Sequence, residues 1–130
     1  MVLADEKSRP VSIVIASASI HEVKLVEQVI AERASRRKPR RITGDKAYDS
    51  DALDKTLKAK GVELNAPHRK GRRKPPSQDR RKLKAYKRRW KVERFFAWLF
   101  NFRRCASRYE YKAQNFKAFL LLASAIILIR

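Results

Sequence analysis

Cysteine occurs once in these 130 residues, at Cys105, so no internal disulfide can staple the fold. Neither histidine, His21 or His68, lies at ligand spacing from it or from the other, which excludes a structural zinc site. Three glycines and five prolines are too few for a low-complexity chain. No apolar run reaches the ~20 residues that a bilayer span needs. The longest, Ala118–Ile129, is twelve residues and predicts a buried core helix rather than a membrane helix. The opening, MVLADEKSRP, carries acids where a secretory leader needs bases and an apolar core, so export is not expected and a cytoplasmic protein is. Acid is what the chain lacks most: 13 Asp and Glu stand against 33 Lys and Arg, a formal net charge of +20.

What is present rules out a disordered basic tail. Hydrophobic residues make up 44% and two are tryptophan, enough for the core of one domain over residues 1–130. The charge is uneven. Residues 1–30 are net −1 and residues 31–66 net +4, whereas residues 67–94 hold fourteen bases and two acids, and residues 95–130 are net +5. Crowding +12 into 28 residues is self-repulsive unless a polyanion neutralises it. A solvating surface normally mixes its signs, so the pattern points to a nucleic-acid backbone, whose binding falls steeply with salt.

Periodicity predicts mixed secondary structure. Val2–Ala4 reads as the end of one strand and Val11–Ser19 as a buried strand after a polar turn. A helix over His21–Ser35 places Val23, Val26, Val29 and Ile30 on one face. Arg41–Asp45 is a short strand, Ser50 caps a helix through Lys60 that Gly61 stops, and Val62–Ala66 is another strand. Pro67–Ser77 is a basic loop. From Gln78 to Ser107 there is neither Pro nor Gly, which predicts one long helix, followed by a second over Tyr111–Arg130. Strands mixed with helices give an α/β fold: a short mixed sheet packed by helices, with long C-terminal helices.

Two carboxylates stand out. Between Asp79 and Glu110, Glu93 is the only acid, set among Tyr86, Lys87, Arg88, Arg89, Trp90, Lys91 and Arg94. It is either half of a helix ion pair with Arg89, four residues earlier, or a Mg²⁺ ligand at the edge of a nucleic-acid groove. At 100° per residue Tyr86, Arg89 and Glu93 share one helix face with Trp90 beside them, while Phe95, Leu99 and Phe102 lie opposite. The second is Asp45, at a strand end after Gly44, a usual place for a ligand in an open α/β sheet. Asp49, Asp51 and Asp54 are explained as helix-start acids. His21 and His68 read as surface residues, Cys105 and Trp98 as core, and the runs Arg36–Arg41 and Arg69–Lys74 as phosphate contacts.

Gly44–Ser50 (GDKAYDS) resembles the block around the second catalytic aspartate of DDE transposases of bacterial insertion sequences, in the insertion sequence 5 and insertion sequence 4 group. Tyr86–Glu93 (YKRRWKVE) is similar to that family's signature of Tyr, two residues, Arg, three residues, Glu. Arg94-Phe95-Phe96, Phe102-Arg103-Arg104 and Asn115-Phe116 with Phe119 resemble its C-terminal helix. The resemblance implies an RNase H-like fold, here N-terminally truncated, with Asp45 and Glu93 as catalytic acids and ligands of Mg²⁺ or Mn²⁺. It implies two-metal phosphoryl transfer that cuts insertion-sequence ends and joins them to target DNA in the bacterial nucleoid. Tyr86 and Arg89 would contact or orient DNA, with Lys87, Arg88, Trp90, Arg72 and Arg73 as further DNA contacts.

The sequence departs from the family in two places. The lysine expected seven residues after the glutamate is Phe100, and Arg104, one turn further on the same helix face, is the expected substitute. No upstream strand carries the first catalytic aspartate, and Asp5 falls at a turn and is not assigned to that role. The expectation is a transposase portion that is incomplete alone, needing an upstream segment of the transposase, with a homo-oligomer left open. Two other classes compete: a non-catalytic DNA-binding remnant, and a basic RNA- or ribosome-associated module, which leaves Glu93 without a purpose.

Overall fold

The computed structural model describes residues 1–71 and 82–129. Two small sheets, not the expected single mixed sheet, organise the chain. Strands β1 (Val2–Ala4) and β2 (Pro10–Ile13) form an antiparallel hairpin with Val2 opposite Ile13. The second strand stops at Ile13, well short of the expected Ser19. Beyond it Val14 still donates to the Met1 carbonyl, at 2.9 Å. Asp5 closes the hairpin turn by accepting from the Lys7 and Arg9 amides, at 2.8 and 3.0 Å, and from the Arg9 guanidinium. Ser8, fully buried, takes the left-handed conformation there with φ of 65°.

Helix α1 (Glu22–Ala31) buries Val26, Val29 and Ile30, as its periodicity predicts. Strand β3 (Arg41–Thr43), helix α2 (Asp51–Ala59) and strand β4 (Glu63–Asn65) then make a βαβ unit in which the two strands pair in parallel. Its helix ends are set by local chemistry. The Ser50 hydroxyl accepts from Leu53 N–H, Asp51 and Asp54 fill the first turn, and Gly61 takes a φ of 71°. Gly61 N–H reaches the Lys58 carbonyl and Val62 N–H the Leu57 carbonyl, a Schellman closure whose apolar pair, Leu57 and Val62, is buried. These residues join Val26, Ile30, Leu53, Leu64 and Ala66 in one core.

The long helix expected from Gln78 to Ser107 is absent from the described part of that span. A 3₁₀ stretch covers Lys82–Arg88, helix α3 covers Trp90–Leu99, and a short α4 covers Arg103–Ala106. Bases at 84, 87 and 88 sit at i, i+3 and i, i+4 spacing, where like charges oppose a regular α-helix. Propensity counted per residue ignores that repulsion. After Leu99 the chain bends, which lets Phe102 and Cys105 pack onto the core already formed by Phe95 and Leu99. Helix α5 (Ala113–Ile129) closes this second core with Leu120 and Ala123 and links to the first half through Lys117 and Glu32, 2.6 Å apart.

Two burial expectations need correction. Helix α5 is not buried all round: Leu121, Leu122, Ile126, Leu128 and Ile129 are exposed. Its seventeen residues also fall short of a bilayer span, and no described helix is long and apolar enough to cross a membrane. Trp98 is exposed rather than core, whereas Cys105 is buried as expected, and that burial pushes its thiol pKa up. Phe95 is fully buried and Phe100 is 52% exposed. Phe95→Ala is expected to cost about 3–5 kcal/mol, and Phe100→Ala within about 0.5 kcal/mol of nothing. Urea unfolding followed by far-ultraviolet circular dichroism checks both, and equal effects would contradict this core assignment.

Candidate functional site

A cleft of about 1090 Å³ opens where the two cores meet, between the β1–β2 hairpin, α1, the end of β3 and the start of α3. Asp45 and Glu93 both line it, together with Arg88 and Arg89. Asp45 follows β3 after one intervening residue, Gly44. Its carboxylate accepts from Ala47 N–H at 2.7 Å and caps a 3₁₀ turn over Lys46–Tyr48. Glu93 lies in the first turn of α3, where the helix dipole favours an acid. Lys91 and Arg94, on either side of it, dock α3 onto the hairpin turn. Lys91 donates to the Glu6 carbonyl, and the Arg94 guanidinium donates to the Ser8 hydroxyl at 3.0 and 3.2 Å. The Arg94 guanidinium also lies over the rings of Trp90 and Trp98, at 4.7 and 5.0 Å.

Arg89 joins the two acids. One guanidinium nitrogen is 3.0 Å from Glu93 Oε1 and another is 3.7 Å from Asp45 Oδ2. The Tyr86 ring lies 5.6 Å from the same guanidinium. The hydrogen bond to Glu93, with the nearby Tyr86 and Asp45, holds Arg89 even more firmly protonated than usual. The helix ion pair foreseen as the plain explanation of Glu93 is therefore present. It does not exclude the other explanation, since one cation already bridges oxygen donors contributed by distant parts of the chain. All three side chains are well exposed, at 40% for Asp45, 42% for Arg89 and 62% for Glu93. Mg²⁺ commonly uses one or two carboxylates and keeps several waters, so this donor pair fits such an ion. Among the described residues no cluster of three or more His, Cys, Asp or Glu could hold a metal. Asp5 lines the same cleft, but its oxygens are engaged within its own turn. Burial raises its pKa, and the stronger pull of Arg9 and Lys7 leaves it below the usual carboxylate value.

The loop after Asp45 is pinned by contacts that the sequence did not foretell. Tyr48 folds back over Gly44 so closely that a Cβ there would sit 2.7 Å from the tyrosine Cδ2. Its hydroxyl donates to Glu22 on α1, and burial, followed by Glu22 and Asp45, pushes its pKa far above the usual phenol value. Asp49 is not merely a helix-start acid. Its side chain is 3% exposed and receives the Arg69 amide and His68 Nδ1, each at 2.9 Å. His68 is accordingly partly buried rather than an ordinary surface residue, and its Nε2 has no partner among the described residues. Arg69 is no loose phosphate contact either: its guanidinium donates to the Lys46 and Ala47 carbonyls, at 3.0 and 2.7 Å, behind Asp45. The one available signal was His68-Arg69 following Pro67, and it carries no spacing rule that would have named Asp49 as the partner.

The other anticipated residues are more dispersed. Lys87 and Arg88 are exposed, and Trp90 is 48% exposed with Arg94 on its ring. Arg104 does not extend the face that carries Glu93, because α3 ends first. It pairs with Glu110 at 3.0 Å, lies over Phe119, and is not among the cleft residues. Arg72 and Arg73 lie outside the described residues. Arg41, in the first basic run, is paired with Glu63 across the β3–β4 sheet.

Gly44→Ala is expected to lose about 1–3 kcal/mol through the collision with Tyr48. In a double-mutant cycle with Tyr48→Ala that loss should shrink, so strict additivity of the two unfolding free energies would refute the close-contact explanation.

Comparison with known proteins agrees with the family resemblance drawn from the sequence. Residues 1–128 match the family model described as "Transposase DDE domain". The chain is 28% identical over 134 aligned positions to the "Putative transposase for insertion sequence element IS402" of Burkholderia cepacia, covering 97% of this chain. It spans only 60% of that relative's length. No solved structure matches. With the family model covering nearly every residue, the chain belongs to the DDE transposase domain family.

Proposed function

We propose that the chain is the part of an insertion-sequence transposase that carries the second and third acids of an RNase H-like catalytic centre. In this reading Asp45 and Glu93 hold divalent ions at the mouth of a basic cleft where DNA lies. The observation that carries it is the shared cation: two acids from separate elements converge on Arg89, in a chain whose +20 charge suits a polyanion. Bound there, Mg²⁺ or Mn²⁺ would supply the Lewis acidity and nucleophile activation of two-metal phosphoryl transfer.

The protein's own groups do the placing. Ala47 N–H and the Arg69-braced turn fix the Asp45 carboxylate. Lys91 and Arg94, by docking α3 on the hairpin, set where Glu93 stands. Tyr86 and Arg89 orient the DNA strand beside the acids, while Lys87, Arg88 and Trp90 contact its backbone and bases; Arg104 extends the contact away from the cleft, and Arg72 and Arg73, outside the described residues, add further phosphate contacts. A further carboxylate must come from outside the described residues, which favours an upstream segment of the transposase as its source.

A non-catalytic DNA-binding remnant is the second reading, favoured by the absence of a three-acid cluster among the described residues. Purified alone, the chain is expected to bind duplex DNA without cutting it. Mg²⁺-dependent nicking that disappears in Asp45→Ala and Glu93→Ala would show instead that two acids suffice. Restored nicking on adding the upstream segment, again lost in those variants, would exclude the remnant.

Duplex affinity should fall log-linearly with salt, and Lys87→Gln or Arg88→Gln should each flatten that slope by about 1. Arg69→Gln should lower the unfolding midpoint instead and leave the slope nearly unchanged. Fluorescence anisotropy across a salt series separates the two behaviours, and an unchanged slope in all three variants would remove this face from the DNA interface.

A further inference from the structure

We infer that Arg89 is a displaceable latch: its guanidinium fills the place between Asp45 and Glu93 that a divalent ion takes, and a DNA phosphate draws it away, so that metal and DNA bind cooperatively. This rests on the metal-site reading above. Arg89 spans both carboxylates at once, with contacts of 3.0 and 3.7 Å to different nitrogens. A planar fork with several donors can do this, whereas a single ammonium point charge is poorly suited. A divalent ion on the same oxygens would face a positive charge at contact distance, so the two cations exclude one another. With the guanidinium in place half of the acids' negative charge is offset and its nitrogens occupy one oxygen of each carboxylate, which weakens the cleft's claim on metal.

Release of the latch is easy for physical reasons. The Arg89 side chain is 42% exposed, and exposed ion pairs are individually weak. A phosphodiester offers a guanidinium paired oxygens in the bidentate geometry it prefers. The Tyr86 ring, 5.6 Å from the guanidinium, gives it a flank to turn against while exchanging partners. Once Arg89 turns to phosphate, two carboxylates stand unneutralised beside a further anion, and together they form an oxygen-rich site for a divalent ion. The coupling is reciprocal, so bound metal must also release Arg89 for DNA and tighten DNA binding by the same factor.

Mn²⁺ serves as the probe, with free ion counted by electron paramagnetic resonance in the absence of DNA. Arg89→Gln is expected to bind Mn²⁺ about three- to tenfold more tightly than the parent chain, the scale of two exposed ion pairs. Arg88→Gln removes an equal charge from the same cleft and should change Mn²⁺ affinity much less. Adding Glu93→Gln to Arg89→Gln should abolish the gain. In anisotropy titrations at constant ionic strength, Mn²⁺ should shift duplex affinity more favourably for the parent chain than for Arg89→Gln, by the factor found without DNA. Unchanged or weaker Mn²⁺ binding in Arg89→Gln, or an equal gain in Arg88→Gln, overturns the latch while leaving the metal site standing. Failure of every variant to bind Mn²⁺, with or without duplex, removes the metal site and the latch together.

Discussion

One guanidinium shared by two carboxylates is the constraint around which the cleft is arranged. Asp45 lies just past a strand of the βαβ half and Glu93 in the first turn of a helix of the other half, and Arg89 is in ion-pair range of both. Each half has its own apolar core. The place where the cores meet is therefore where polar chemistry can concentrate without burying a charge. Leaving the acids exposed avoids the several-kcal/mol desolvation penalty of a buried ion pair and keeps them open to exchange of one cation for another.

The supports behind those acids are built from the basic residues that give the chain its excess of positive charge. Arg69 braces the turn behind Asp45, Lys91 and Arg94 dock the helix that carries Glu93, and Lys117 ties α5 to Glu32. Part of the large positive charge is thus committed to internal contacts. Lys87 and Arg88, by contrast, stay exposed at the protein surface. Several cations near the site are thereby taken up by the fold's own oxygens, Arg69 and Lys91 by backbone carbonyls and Arg89 by carboxylates.

Local rules read off the sequence performed well where one residue sets one feature. Ser50 as a cap, Gly61 as a stop, the buried face of α1 and the strand before Asp45 all follow from side chains acting within a few positions. They performed poorly where the outcome depends on distant partners. The stretch from 78 to 107 has good helix formers, yet like-charge repulsion and the packing of Phe102 and Cys105 divide its described part into three pieces. Asp49 met the rule for a helix-start acid, but its role is fixed by His68 and Arg69, which no local pattern pairs with it. The four-residue spacing of Arg89 and Glu93 survives the change from one helix to a 3₁₀ stretch followed by a helix, so the ion pair foreseen between them forms. Arg104 depended on the helix continuing, and it does not.

The stacking of Trp90 and Trp98 on either side of Arg94 has a consequence for how this molecule reports on itself. They are the only tryptophans in the chain, and both sit on α3, beside the guanidinium that grips Ser8. Indole emission consequently senses the seam between that helix and the hairpin and is nearly blind to the βαβ half. An optical melting curve recorded at those two rings describes one half of the chain. Its agreement with a backbone signal, rather than its midpoint alone, tells whether the halves come apart in a single cooperative step.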